Sequence, residues 1–104
     1  MEKKLNTTYE FEFFDGTKTE LTLSFIKLYK LKAKYKPLYD RYMKIMSNKN
    51  SDEFELIEVL HIAYICAHMD EENLMDFETF MYKCGSDRKA AMNAVRELTQ
   101  PKKR

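Results

Sequence analysis

Residues 8–23 read Thr8-Tyr9-Glu10-Phe11-Glu12-Phe13-Phe14-Asp15-Gly16-Thr17-Lys18-Thr19-Glu20-Leu21-Thr22-Leu23, and the way this stretch folds back on itself decides the class of the fold. Tyr9, Phe11 and Phe13 alternate with Thr8, Glu10 and Glu12, the period-two pattern of a strand with one buried face. Leu21 and Leu23 resume the pattern after Asp15-Gly16. A loop of Asp15-Gly16 alone would set Phe13 opposite Lys18 and Phe11 opposite Glu20, mixing apolar and charged faces. A longer Phe14-Asp15-Gly16 loop, with Gly16 left-handed in a bulge, pairs Phe13 with Thr17, Phe11 with Thr19 and Tyr9 with Leu21. Every apolar residue of the hairpin except Phe14 then shares one face, and that register is the expectation. An isolated pair of strands is barely stable in water, so the hairpin must pack on helices.

The remainder of the 104 residues supplies them. Two Gly and two Pro argue against a sandwich rich in turns, and 44% hydrophobic residues is too many for a disordered segment. A chain of this size makes one domain, burying roughly 60–70% of the surface its unfolded form exposes. The expected class is α+β, mostly α: an N-terminal β-hairpin packed on about four helices. A single domain is expected over 1–100, with a basic tail over 101–104.

Ser24 is the expected N-cap of the first helix. Leu28, Leu31, Tyr35, Leu38, Tyr42 and Ile45 recur in steps of three and four, one helical stripe over about 25–46. Pro37 interrupts it, removing a hydrogen bond and pressing on the carbonyl of Ala33. The chain either kinks there or stops near Tyr35 and restarts; the unbroken phase favours one kinked helix. Asn50 and Glu53 have capping-box spacing, so a second helix is expected over 51–69, apolar on nearly every side and the most buried element. Its first turns hold Asp52, Glu53 and Glu55, which complement the helix dipole. A short helix is expected over 77–84, capped by Asp76, with Phe77, Phe80 and Met81 inward and Gly85 as its stop. Ser86 or Asp87 then caps a last helix over 87–99, with Ala91, Val95 and Leu98 inward.

The formal net charge of +1 conceals a segregation. Residues 27–49 carry eight basic side chains against Asp40 alone, and residues 50–80 carry nine acids with no Lys or Arg. Residues 81–104 are basic again, ending in Pro101-Lys102-Lys103-Arg104. No apolar run approaches the length of a membrane span, and charged residues with no apolar run behind them open the chain. The expectation is a cytoplasmic protein without a membrane partner. Cys66 and Cys84 lack metal or redox spacing and read as reduced core thiols. His61 and His68 are two helical turns apart, about 10 Å, too far to share one zinc. Asp70, Glu71, Glu72 and Asn73 lack the alternating ligands and central Gly of a calcium loop. No nucleophile stands with a base, and no glycine-rich phosphate loop is present. No enzyme activity, catalytic residue, metal or cofactor is therefore expected.

Two surfaces remain. Helices flanking Cys84-Gly85-Ser86-Asp87 have the outline of a helix-turn-helix carrying Arg88, Lys89 and Arg96, but the acids from Asp70 to Glu78 would repel phosphate, so nucleic acid is not the expected partner. Lys27, Lys34 and Arg41 recur beside the first apolar stripe, with Lys30 and Lys44 further round. Either they are a solvated face, or they dock an acidic partner such as the acidic segment of another copy, with Tyr29, Tyr39 and Met43 as anchors.

Several segments together carry a more specific likeness: Leu28-Tyr29-Lys30-Leu31-Lys32-Ala33-Lys34, Leu38-Tyr39-Asp40-Arg41-Tyr42, Ala63-Tyr64-Ile65-Cys66-Ala67, Cys84-Gly85-Ser86-Asp87-Arg88, Asn93-Ala94-Val95 and Pro101-Lys102-Lys103. The chain resembles the small tail-assembly chaperone-like proteins of long-tailed phages and prophages of low-GC Gram-positive bacteria. The resemblance implies a non-enzymatic protein that binds the tape-measure protein and keeps it soluble until tail-tube subunits polymerise around it. An extended apolar helix exposed before assembly would otherwise aggregate. It also points to Lys102-Lys103 as the place to look for a slippage product. Pro37 departs from the family pattern. The family assigns no functional residue here, so the residues themselves nominate Tyr29, Lys30, Lys34, Tyr39 and Arg41 as the partner site. A DNA-binding regulator and a self-associating structural protein are the alternatives.

Overall fold

Strands Thr8–Glu12 (β1) and Lys18–Thr22 (β2) pair antiparallel with Tyr9 opposite Leu21 and Phe11 opposite Thr19. That is the register of the Phe14-Asp15-Gly16 loop. The Phe13 N–H donates to the Thr17 carbonyl at 2.7 Å and the Gly16 N–H to the Phe13 carbonyl at 2.9 Å. Gly16 takes φ +89°, and the Asp15 carboxylate closes the turn by accepting from the Thr17 N–H at 3.0 Å and its hydroxyl at 2.7 Å. The computed structural model describes residues 8–99; both expected domain limits and the basic tail over 101–104 lie outside them.

Five helices follow: α1 Phe25–Lys34, α2 Lys36–Met46, α3 Glu53–Ala67, α4 Phe77–Cys84 and α5 Arg88–Thr99. The fold is α+β, mostly α. No described helix is long and apolar enough to cross a membrane.

The single kinked helix expected over 25–46 is two helices. Tyr35, at φ −131° and ψ 64°, leaves helical geometry and serves as the last cap of α1 and the first of α2. Its N–H still donates to the Leu31 carbonyl at 2.6 Å, and its own carbonyl accepts from the Leu38 N–H at 3.0 Å. An unbroken helix would drive the Pro37 ring into the Ala33 carbonyl; restarting at Lys36 places Pro37 in a first turn, where no hydrogen bond is lost. The apolar phase survives the break because Leu28, Leu31, Tyr35, Leu38 and Tyr42 all still face the core.

The second long helix starts later than its expected bound of 51. The capping box is Asp52 with Glu55, not Asn50 with Glu53: Asp52 Oδ1 accepts from the Glu55 N–H at 2.9 Å and Glu55 Oε1 from the Asp52 N–H at 3.1 Å. Residues 48–51 are occupied in a turn instead. Asn48 accepts from the Asn50 N–H at 3.0 Å, and the Ser51 hydroxyl donates to the Ile45 carbonyl at 2.9 Å. The same helix stops at Ala67 rather than 69, with His68 as its cap.

Val59 through Cys66 are all buried, making α3 the central post against which β2 and the other helices pack. Phe11, Phe13 and Leu21 of the hairpin, Leu31 of α1, Phe80 of α4, and Ala91 and Ala94 of α5 close around it. Asp76 caps α4 as expected, accepting from the Thr79 N–H at 2.9 Å, and Asp87 caps α5 through the Ala90 N–H at 3.1 Å. Ala94, absent from the expected inner stripe, is fully buried, whereas Val95 and Leu98 are only partly so.

The hairpin tip is fastened to the end of α4. The Phe14 N–H donates to the Lys83 carbonyl at 3.0 Å, and Gly85, at φ +66°, lies under the ring. A Cβ on Gly85 would meet the Phe14 Cβ at 2.9 Å. Gly85→Ala should cost about 1–3 kcal/mol through positive φ and this clash. Gly16, whose Cβ would meet nothing within 4 Å, should lose less on the same change. Paired urea unfolding curves check the ranking.

Candidate interaction surface

Helix α1 is apolar on two opposite sides. Leu28 and Leu31 face the core, while Phe25, Ile26 and Tyr29 fall within about 100° of one another on the far side, given the helical repeat. There they are 90%, 57% and 71% exposed. Lys30 continues this face and makes no hydrogen bond or ion pair among the described residues. Large exposed apolar groups side by side on one helix are the signature of an interaction surface.

Of the five nominated residues, the structure brings Tyr29 and Lys30 together on this face. The other three are engaged by their own fold. Lys34 Nζ donates to the Met69 carbonyl at 3.2 Å and lies 5.5 Å from the Tyr35 ring centre. Tyr39 packs partly buried against the core with Lys32 Nζ 5.5 Å from its ring. Arg41 holds Glu58 through Nε at 3.0 Å and Nη2 at 2.7 Å, with Glu55 at 3.5 Å. Hydrogen bonding and charge from Glu58 raise the Arg41 pKa above its ordinary value. Part of the basic segment thus meets the acidic segment within one chain. Sequence reasoning missed Phe25 and Ile26, although their angular position opposite Leu28 and Leu31 was already a signal.

A second apolar surface lies on the outward side of α4. Phe14 and Tyr82, 69% and 81% exposed, border an open groove of about 940 Å³ lined also by Met81, Gly85 and Glu78. The close approach to Gly85 and the backbone bond to Lys83 fix Phe14 in place, so the groove is preformed.

The residues weighed for chemistry are absorbed structurally. His61 Nε2–H donates to the Met75 carbonyl at 2.8 Å, and burial lowers its pKa. His68 is held between the Thr19 hydroxyl at 3.0 Å and Glu71 Oε2 at 2.8 Å. Burial pushes the Cys66 thiol up to about 12 and Cys84 to about 11, so both stay protonated at neutral pH. On the basic helix α5, Arg88 forks onto Glu53 at 2.7 and 3.2 Å, and Arg96 donates to Asn93 Oδ1 at 2.9 Å.

Comparison with known proteins finds no matching family model, no matching curated protein and no matching solved structure.

Proposed function

We propose that this chain is a non-enzymatic tail assembly chaperone that binds the tape-measure protein in the host cytoplasm and keeps it soluble until tail-tube subunits polymerise around it. The observation that carries the reading is the exposed row Phe25, Ile26 and Tyr29 beside Lys30 on α1. Such a row offers a long amphipathic client helix aromatic anchors for its apolar stripe, and a cation beside them. The family resemblance supplies the identity of that client. The DNA-binding alternative is weakened because Arg88 is spent on Glu53 and Arg96 on Asn93.

Co-expression with a phage tape-measure protein tests the reading. The wild-type chain should retain the client in the soluble fraction as a complex. Phe25→Asp combined with Tyr29→Asp should lower that fraction about tenfold or more, as expected for lost anchor residues. Arg41→Glu is a poor probe, because it would break the bonds to Glu58 within the fold. A client that stays insoluble with the wild-type chain, or soluble with the double variant, overturns the proposal.

A further inference from the structure

The charge split along the sequence is only partly resolved inside the folded chain. Arg41 joins α2 to Glu55 and Glu58 of α3, and Arg88 joins α5 to Glu53. Helix α1 carries Lys27, Lys30, Lys32 and Lys34 with no acid, and none of these meets a carboxylate among the described residues. The loop into α4 and its first turn carry Asp70, Glu71, Glu72, Asp76 and Glu78, and none of these meets a Lys or Arg among the described residues; Glu71 is held by His68 and Asp76 by the helix it caps, which leaves Asp70, Glu72 and Glu78 without a partner there. Lys83, the one base on α4, is turned to Asp15 at 3.7 Å. Each unmatched set of charges accompanies an exposed apolar feature. The lysines flank the Phe25, Ile26 and Tyr29 ridge, and Glu78 lines the groove between Phe14 and Tyr82.

We infer that the groove on α4 receives α1 of a second copy of this chain, with Phe25 seated between Phe14 and Tyr82 and the α1 lysines facing Glu78. Ridge and groove are different patches of one molecule, so the contact is heterologous and repeats head to tail rather than closing as a two-fold dimer. Opposite charges set the direction of the contact, and the buried aromatics supply its strength. The α1 ridge is also the client face of the proposed function, so a neighbouring copy keeps it covered until a client displaces that copy. The association itself needs no client and is measured on the purified chain alone.

Sedimentation velocity from micromolar to millimolar concentration gives the test. Wild-type mass should rise with concentration, and less steeply in high salt. Phe25→Asp removes the ridge, and Tyr82→Lys places a cation in the groove. Both positions are exposed, so circular dichroism should show an unchanged fold. Each variant alone should associate at least about tenfold more weakly than wild type. Mixed, the two still own one intact groove and one intact ridge, and should form a one-to-one heterodimer that grows no further. A wild-type chain that stays monomeric, single variants that associate like wild type, or a mixture that stays monomeric would each overturn the inference; the last would show that ridge and groove do not meet.

Discussion

Phe80→Ala should lower the unfolding free energy by about 3–5 kcal/mol, the range for deleting an aromatic side chain from a core that cannot collapse around the gap. Phe80 is 0% exposed, and its ring is where the layers meet. It stacks on Phe11 at 6.4 Å, meets the Phe13 edge at 5.5 Å, and lies 5.7 Å from Tyr64 and 5.5 Å from His61. Those neighbours come from β1, the loop after it and α3, so the hole would be lined by elements that are themselves fixed. Domains of this size are stable by about 5–15 kcal/mol, so the variant should sit close to its unfolding threshold. Phe80→Leu keeps much of the volume and should cost markedly less. Urea unfolding of both variants, read by circular dichroism, checks the order and the size. A loss below about 1 kcal/mol for the alanine variant would mean that the hairpin does not depend on α4 for its footing.

That dependence shows which parts of the fold are legible in residues alone. The hairpin register follows from a local contest: only the loop that includes Phe14 keeps Phe11, Phe13 and Leu21 on one face, and burial enforces it. Asp76 and Gly85 are equally local, since a carboxylate before an apolar run and a glycine after it satisfy orphan backbone groups wherever they stand. The misreadings have non-local causes. At Pro37 two outcomes preserve the same apolar phase, and the choice rests on whether Tyr35 can leave helical geometry while still packing on the core. At 50–55 two capping boxes overlap, and Ser51 decides between them by binding back to Ile45 of α2. The candidate surface was half legible. Charge spacing finds Lys30 and Lys34, but which lysines stay free depends on the carboxylates and carbonyls that tertiary structure brings near. Phe25 and Ile26 look like core residues by composition, and only their angular position opposite Leu28 and Leu31 marks them as the solvent-facing residues they are.

Acidification below about pH 6.5 should destabilise the protein, and His61 should account for a measurable share of the loss. The imidazole donates from Nε2 to the Met75 carbonyl while the Tyr64 hydroxyl accepts from the Met75 N–H at 3.1 Å, so two residues of α3 hold the chain just before α4. Tyr64, Phe77 and Phe80 surround the ring at 6.0, 5.7 and 5.5 Å. Burial among them lowers the His61 pKa, outweighing the bond to Met75 and the more distant charges of Asp76 and Glu58, which favour the cation. A histidine whose folded pKa is depressed leaves the unfolded chain holding the extra proton. Its contribution is therefore complete above the unfolded value of about 6.5 and drains away as pH falls through the folded value. The slope this linkage adds stays below one proton, that is below about 1.4 kcal/mol per pH unit. His61→Gln keeps a donor within reach of Met75 and removes the titration, so the slope of stability against pH over this window should flatten even if the variant is less stable throughout. Urea midpoints at half-unit pH steps give that slope directly. An unchanged slope in the variant would show that His61 takes up its proton in the folded state as readily as in the unfolded one, against the burial that the ring contacts impose.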